Sequence, residues 1–105
     1  MVARAAVKID FYSNQTTEEI IIPCHRHCDA FQILKDFGFK KGLHYKELAQ
    51  GFLDEEGKFL TRVEAYSEAV LCGQLRPRAM TEYQILKEQE PDMALKQPLY
   101  SEDVW

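Results

Sequence analysis

The run Gly51-Phe52-Leu53-Asp54-Glu55-Glu56-Gly57-Lys58-Phe59-Leu60-Thr61-Arg62-Val63-Glu64-Ala65 leaves the chain little conformational choice. Two apolar pairs, Phe52-Leu53 and Phe59-Leu60, flank an acidic turn in which Gly57 can take positive φ. That pattern predicts a tight hairpin, or a turn with a glycine-supported bulge. Thr61-Arg62-Val63-Glu64 then spells a capping box: the Thr61 hydroxyl accepts the Glu64 amide, and the Glu64 carboxylate accepts the Thr61 N–H. Leu60 and Ala65 are placed as a modest hydrophobic staple. The helix beyond it turns Tyr66, Ala69 and Val70 inward and stops at Gly73.

Upstream, the period is that of strands. Val7, Ile9 and Phe11 alternate onto one side, Ser13-Asn14-Gln15 supplies turn chemistry, and Glu18-Glu19-Ile20-Ile21-Ile22 reads as a second strand ended by Pro23. So dense a β-branched run is expected at the centre of a sheet or buried on both faces. After Pro23 the period changes. Ala30, Ile33, Leu34 and Phe37 fall at i, i+3, i+4 and i+7, the inward stripe of a helix from about His25 to Phe37, with Gly38 as its stop. Residues 39–50 fit either a strand or a short helical turn. Arg76-Pro77-Arg78 reads as a rigid basic connector, and Thr81 to Glu88 as a third short helix with Tyr83, Leu86 and Ile85 inward. Pro91 and Pro98 interrupt the remainder of the chain. The expected fold is α+β: a small antiparallel sheet, made of an N-terminal hairpin and a second short hairpin, packed against two or three helices.

The totals agree with one domain over residues 1–105. At 105 residues, with 46% hydrophobic and 29% charged side chains, the chain can bury a real core without staples. Residues 76–105 form a less regular segment. Its end, Leu99-Tyr100-Ser101-Glu102-Asp103-Val104-Trp105, is rich enough in large apolar groups to dock on the domain or on a neighbouring subunit, so a homo-oligomer is expected. A net charge of −4 with no Lys/Arg run argues against general nucleic-acid binding. No apolar run approaches the ~20 residues that span a bilayer, and three cysteines without a secretory signal suit a reducing cytoplasm.

Polar chemistry concentrates in Pro23-Cys24-His25-Arg26-His27-Cys28-Asp29, where strand gives way to helix. A helix N-terminus offers free N–H groups and the positive end of a dipole, and His25, Arg26 and His27 add donors suited to phosphate or carboxylate. The bland alternative is an ordinary first turn with solvated side chains and two small core cysteines. Arg62, at the start of the second helix, faces the dipole unfavourably and needs a partner: Glu64, Asp54 or a ligand. Glu102 and Asp103 are acids set between aromatic residues, and are expected to pair with the Arg or His groups of the first-helix cluster. Cys24, His27 and Cys28, at i, i+3 and i+4, could share a helical face, with His44 or Cys72 completing a metal set. Cys-x3-Cys without a second distant pair is too weak a pattern to assign a metal. Cys72 reads as a packed thiol. No Gly-rich phosphate loop, His-Glu-x-x-His or Gly-x-Ser-x-Gly is present, and no catalytic residue or cofactor is assigned.

The stretch Gln50-Gly51-Phe52-Leu53-Asp54-x-x-Gly57-Lys58-Phe59-Leu60-x-Arg62-x-Glu64-Ala65, then Gly73-Gln74-Leu75, resembles a group of small proteins encoded by bacteriophages and prophages. Arg26-His27 and the terminal Ser101-Glu102-Asp103-Val104-Trp105 extend the likeness; Cys28 departs from it, standing where a further His is expected. The resemblance implies an accessory protein that works by binding, for example against a host defence. On that reading His25, Arg26, His27 and Arg62 hold an anionic, nucleotide-like molecule or a host protein. Two rivals are a metal-dependent hydrolase built on His25 and His27 with Asp29 or Glu102, and a pure protein–protein module.

Overall fold

A computed structural model describes residues 1–105. Four antiparallel strands form one sheet in the order β2-β1-β3-β4. The strands are β1 (Val2–Ser13), β2 (Thr16–Cys24), β3 (Tyr45–Asp54) and β4 (Phe59–Thr61). Helix α1 (His27–Asp36) connects β2 to β3, and α2 (Arg62–Leu71) and α3 (Pro77–Gln89) come after β4. Two single 3-10 turns, Pro91–Met93 and Ser101–Asp103, lie in the last segment.

The β1–β2 hairpin turns at Asn14, which takes φ 50°. The second hairpin is the one expected: Gly57 sits at φ 84°, and the Asp54 carboxylate accepts the amides of Glu56 and Lys58, both at 2.9 Å. Thr61 and Glu64 close the capping box, with Glu64 N–H donating to Thr61 Oγ1 at 3.2 Å and Thr61 N–H to Glu64 Oε1 at 3.0 Å. Gly51 is required for packing. A Cβ there would stand 2.3 Å from the Leu60 carbonyl oxygen and 2.6 Å from the Phe59 ring, which lies across the bare glycine with the Lys8 ammonium 4.5 Å from its centroid. The Gln74 amide behaves as a strand neighbour, accepting from Val2 N–H and donating to Val2 C=O, both at 2.8 Å.

Helices cover one face of the sheet and divide its core in two. One cluster gathers Val2, Ala5, Phe52, Leu60, Ala65, Tyr66, Ala69, Leu75, Ala79 and Leu99, with Val104 and Trp105 packed against it. The other joins Val7, Ile9, Ala30, Leu34 and Tyr45. The C-terminal segment therefore docks on its own domain.

Several expectations are corrected. The Ile20-Ile21-Ile22 strand is neither central nor buried on both faces but forms the sheet edge, with Ile21 exposed. Pro23 does not end it, because an edge strand has no outer neighbour to need the missing N–H, and pairing continues to Cys24 opposite Ala5. The first helix consequently starts two residues late, at His27, and ends at Asp36. Cys24 lies in a strand, so Cys24, His27 and Cys28 share no helical face. The inward stripe is half realised: Ala30 and Leu34 are buried, whereas Ile33 is 45% exposed and Phe37, past the helix end, 76% exposed. Arg76-Pro77-Arg78 is no connector; Pro77 takes the first position of α3, where its fixed φ suits the helix and its absent N–H costs nothing. Ile85 faces out. Cys72 and Cys28 are exposed thiols, not core groups.

Candidate functional site

At the seam between the helices that cover the two apolar clusters, the arginines that open α1 and α2 line one cleft. Arg26 is the N-cap of α1. Its own N–H donates to the Asp29 carboxylate at 3.1 Å, but its side chain has no acceptor to offer, so the first-turn amides of α1 receive no side-chain cap. The guanidinium crosses to the C-terminal segment, where Nη2 donates to the backbone oxygen of Trp105 at 2.8 Å. Nη1 stands 4.0 Å from a Glu102 carboxylate oxygen; it is buried and has no hydrogen-bond partner.

Arg62, the first residue of α2, donates to the Leu99 carbonyl at 2.8 Å and to Gln50 Oε1 at 2.6 Å, with the Tyr100 ring centroid 5.0 Å from its guanidinium carbon. Neither Glu64 nor Asp54 is its partner. The Gln50 amide passes the connection on to Glu47 Oε1 at 2.7 Å, and Lys41 reaches Glu47 Oε2 at 3.3 Å.

His27 is 8% exposed. Its Nε2 donates to the Gly51 carbonyl at 2.7 Å, and its ring meets Phe52 edge to face at 5.1 Å. Burial pushes its pKa below the ordinary histidine range, and the nearby positive Arg62 adds to this, so the imidazole is neutral near pH 7. His25 sits before the helix with its exposed ring 5.7 Å from that of Trp105. It does not line the cleft.

An open cleft of about 230 Å³ lies over this seam, lined by Arg26, His27, Cys28, Arg62, Tyr100, Ser101 and Glu102. Arg26, His27, Arg62 and Glu102, scattered in sequence, are thus brought together. Asp103 is not among them. Its carboxylate accepts the Tyr100 amide at 2.9 Å within its own turn, and burial raises its pKa. Glu102, 72% exposed, also borders a wider cleft of about 600 Å³ at the start of α3, beside Arg78 and Glu82. Sequence reading missed Gln50, Tyr100 and Ser101. Gln50 carried one signal, a polar residue on the covered face of a strand beside the capping-box arginine.

Chemically, the cleft presents two guanidinium groups, a neutral imidazole, a hydroxyl and one exposed carboxylate. Ser101 Oγ donates only to the neighbouring Glu102 carboxylate, at 3.5 Å. No three His, Cys, Asp or Glu side chains are grouped to hold a metal ion, and Asp29 is occupied by its backbone contact. The ligand set of the hydrolase reading does not assemble.

Fold and site together define a small α+β protein in which two helix starts and a C-terminal turn enclose a cationic cleft. No curated protein and no solved structure matches the chain. A family model does: the chain belongs to the family described as phage T4 y16D protein, which matches residues 1–105 and makes it a small phage-encoded protein. No helix is long and apolar enough to cross a membrane.

Proposed function

We propose that this phage accessory protein acts by binding, and that the cleft between α1 and α2 holds the anionic group of a small, nucleotide-like ligand. The observation that carries this reading is the buried Nη1 of Arg26, a charged donor with no acceptor. Such a group costs more than the roughly 1–3 kcal/mol of a neutral orphan, and a phosphate or carboxylate oxygen would remove that cost. The uncapped first turn of α1 and the guanidinium of Arg62 add to the same field. Glu102, largely exposed, serves as an internal stand-in that a stronger anion displaces. Sequestering such a ligand is the form that action against a host defence would take.

The test is native mass spectrometry and ultraviolet absorbance on freshly purified protein, then calorimetry with nucleotides. Arg26→Ala should weaken binding at least tenfold, about 1.4 kcal/mol, while Glu102→Gln should strengthen it. If no anion co-purifies and nucleotides bind neither the wild type nor Glu102→Gln, the reading is eliminated.

A further inference from the structure

Strand β2 is the outer edge of the sheet along its whole length, whereas the opposite edge, β4, is three residues long and runs straight into α2. The main-chain groups that β2 presents outward can be identified. Tyr12 N–H donates to the His44 carbonyl at 2.8 Å, so Tyr12, Asp10 and Lys8 look toward β3, and Phe11, Ile9 and Val7 toward β2. Their partners Glu18, Ile20 and Ile22 therefore bond inward. Thr17, Glu19, Ile21 and Pro23 face out, and Pro23 stands where its lack of an N–H harms no existing pair.

Edges of this kind are templates for another strand, and natural proteins blunt them with charge and proline. Glu18, Glu19 and Pro23 look like such devices, but one self-pairing register keeps the acids apart and moves Pro23 to the outermost bonded pair. Placing Glu19 opposite itself sets like charges face to face. Placing Ile21 opposite itself sets Pro23 against Glu19 on both sides, so that only the central pair exchanges both hydrogen bonds. Placing Ile20 opposite Ile20 keeps the acids apart and sets Pro23 against Thr17, so a donor is lost only in the two outermost pairs. Glu19 and Ile21 then exchange both hydrogen bonds with the second copy's Ile21 and Glu19, and Thr17 N–H donates to the second copy's Pro23 carbonyl. The Glu19 carboxylate is already paired inward with Lys8 at 3.7 Å. Ile20 gains cover from its counterpart in the second copy, while the exposed Ile21 lies on the other face against the second copy's Glu19.

We infer that β2 is the interface of a symmetric dimer, with the two antiparallel β2 strands meeting at Ile20 and joining two sheets into one. The same register carries the second copy's Asn14-Gln15 turn alongside His25 and Arg26, so each subunit borders the other's cleft. The dimer stands or fails separately from anion binding.

Analytical ultracentrifugation of the full chain across a concentration series is expected to show a reversible monomer–dimer equilibrium; a monomer throughout overturns the proposal. Ile21→Pro removes an outward N–H of the same parity as Pro23 and should give a folded monomer. If it is folded and still dimeric, β2 is not the interface. Should that variant not fold, oxidative cross-linking decides. In a chain with Cys24, Cys28 and Cys72 replaced by Ala, Ile20→Cys should cross-link readily, since residues facing each other in a non-hydrogen-bonded pair lie about 4.5 Å apart at Cα, within disulfide reach. Cross-linking through Glu19→Cys or Ile21→Cys in preference to Ile20→Cys, or through none of them, overturns the register and with it the proposal.

Discussion

Helices α1 and α2 are each ten residues long, and each brings an arginine at its start to the cleft, yet they are held by different means. The start of α2 is secured by its own sequence: Thr61 and Glu64 satisfy each other's amides. The start of α1 lacks that reciprocity, since Arg26 cannot accept a hydrogen bond, and the helix is instead pinned to the sheet by His27 on the Gly51 carbonyl. A locally capped helix needs little from its surroundings. One that begins on a cation and a buried imidazole keeps open amides at its mouth and depends on tertiary contacts to stay there. The difference leaves α2 fixed by local contacts and α1 by tertiary ones.

Gly51 is common to both arrangements, because its carbonyl receives His27 while its missing side chain admits the Phe59 ring of the hairpin that launches α2. Gly51→Ala drives a methyl group into the Leu60 main chain, where nothing flexible can give way. It should cost about 3 kcal/mol or more, the upper range for overpacking. Chemical denaturation would measure it. A loss under about 1 kcal/mol would mean that the hairpin shifts freely and that the two helices are not tied through this residue.

The next largest effect separates the helices. His27→Ala leaves the Gly51 carbonyl without its donor and a void beside Phe52, and should cost about 2–3 kcal/mol. His27 also predicts a pH dependence. Its folded pKa lies below the unfolded value of 6.5, so between the two the unfolded chain binds more protons. Its contribution is complete above pH 6.5 and is lost as pH falls toward the folded pKa. Asp103 acts with opposite sign, since its raised pKa favours the folded state at pH values below the folded pKa, most fully below 3.8. Thermal melts from pH 7.5 down to 5 should fall for the wild type and flatten for His27→Gln, which keeps a donor near Nε2. An equal slope in both proteins would place the titrating group elsewhere.

Thr61→Ala is the matching change in α2. It removes one cap hydrogen bond and should cost about 1 kcal/mol, or about 4–8 °C in Tm for a domain of this size, with no change in the pH slope. A Thr61→Ala penalty as large as that of His27→Ala would erase the distinction drawn between the helices.

The same contrast explains how far the sequence could be read. Hairpin turn, cap and α2 were legible because the interactions that close the turn and start the helix span four residues or fewer, as in Thr61 with Glu64 or Asp54 with Lys58. The start of α1 was not, because Pro23 terminates a strand or lies harmlessly within one according to which side of the sheet is open, a property of the assembled β2-β1-β3-β4 order. Arg26 and Arg62 were recognisable as cations needing partners. What they found could not be foreseen, since the oxygens of Trp105 and Leu99 are main-chain atoms with no side-chain signature. Asp103 was misplaced for the same reason, its carboxylate having been taken by a local amide.

The smallest expected effect tests that lesson at the other end of α1. Periodicity alone assigns Phe37 to the core, and truncating a core phenylalanine costs about 3–5 kcal/mol. The helix stops one residue earlier, however, and Phe37 extends into solvent from the C-cap, where its N–H bonds the Ile33 carbonyl at 3.1 Å. Phe37→Ser should therefore stay within about 0.5 kcal/mol of the wild type, as surface changes do. Leu34→Ala, one turn of helix back on the buried side, should lose several times more. A Phe37→Ser loss above about 2 kcal/mol would mean that the end of α1 is covered in solution by something the single chain does not supply, and combining the change with Ile21→Pro would tell whether the β2 dimer provides that cover.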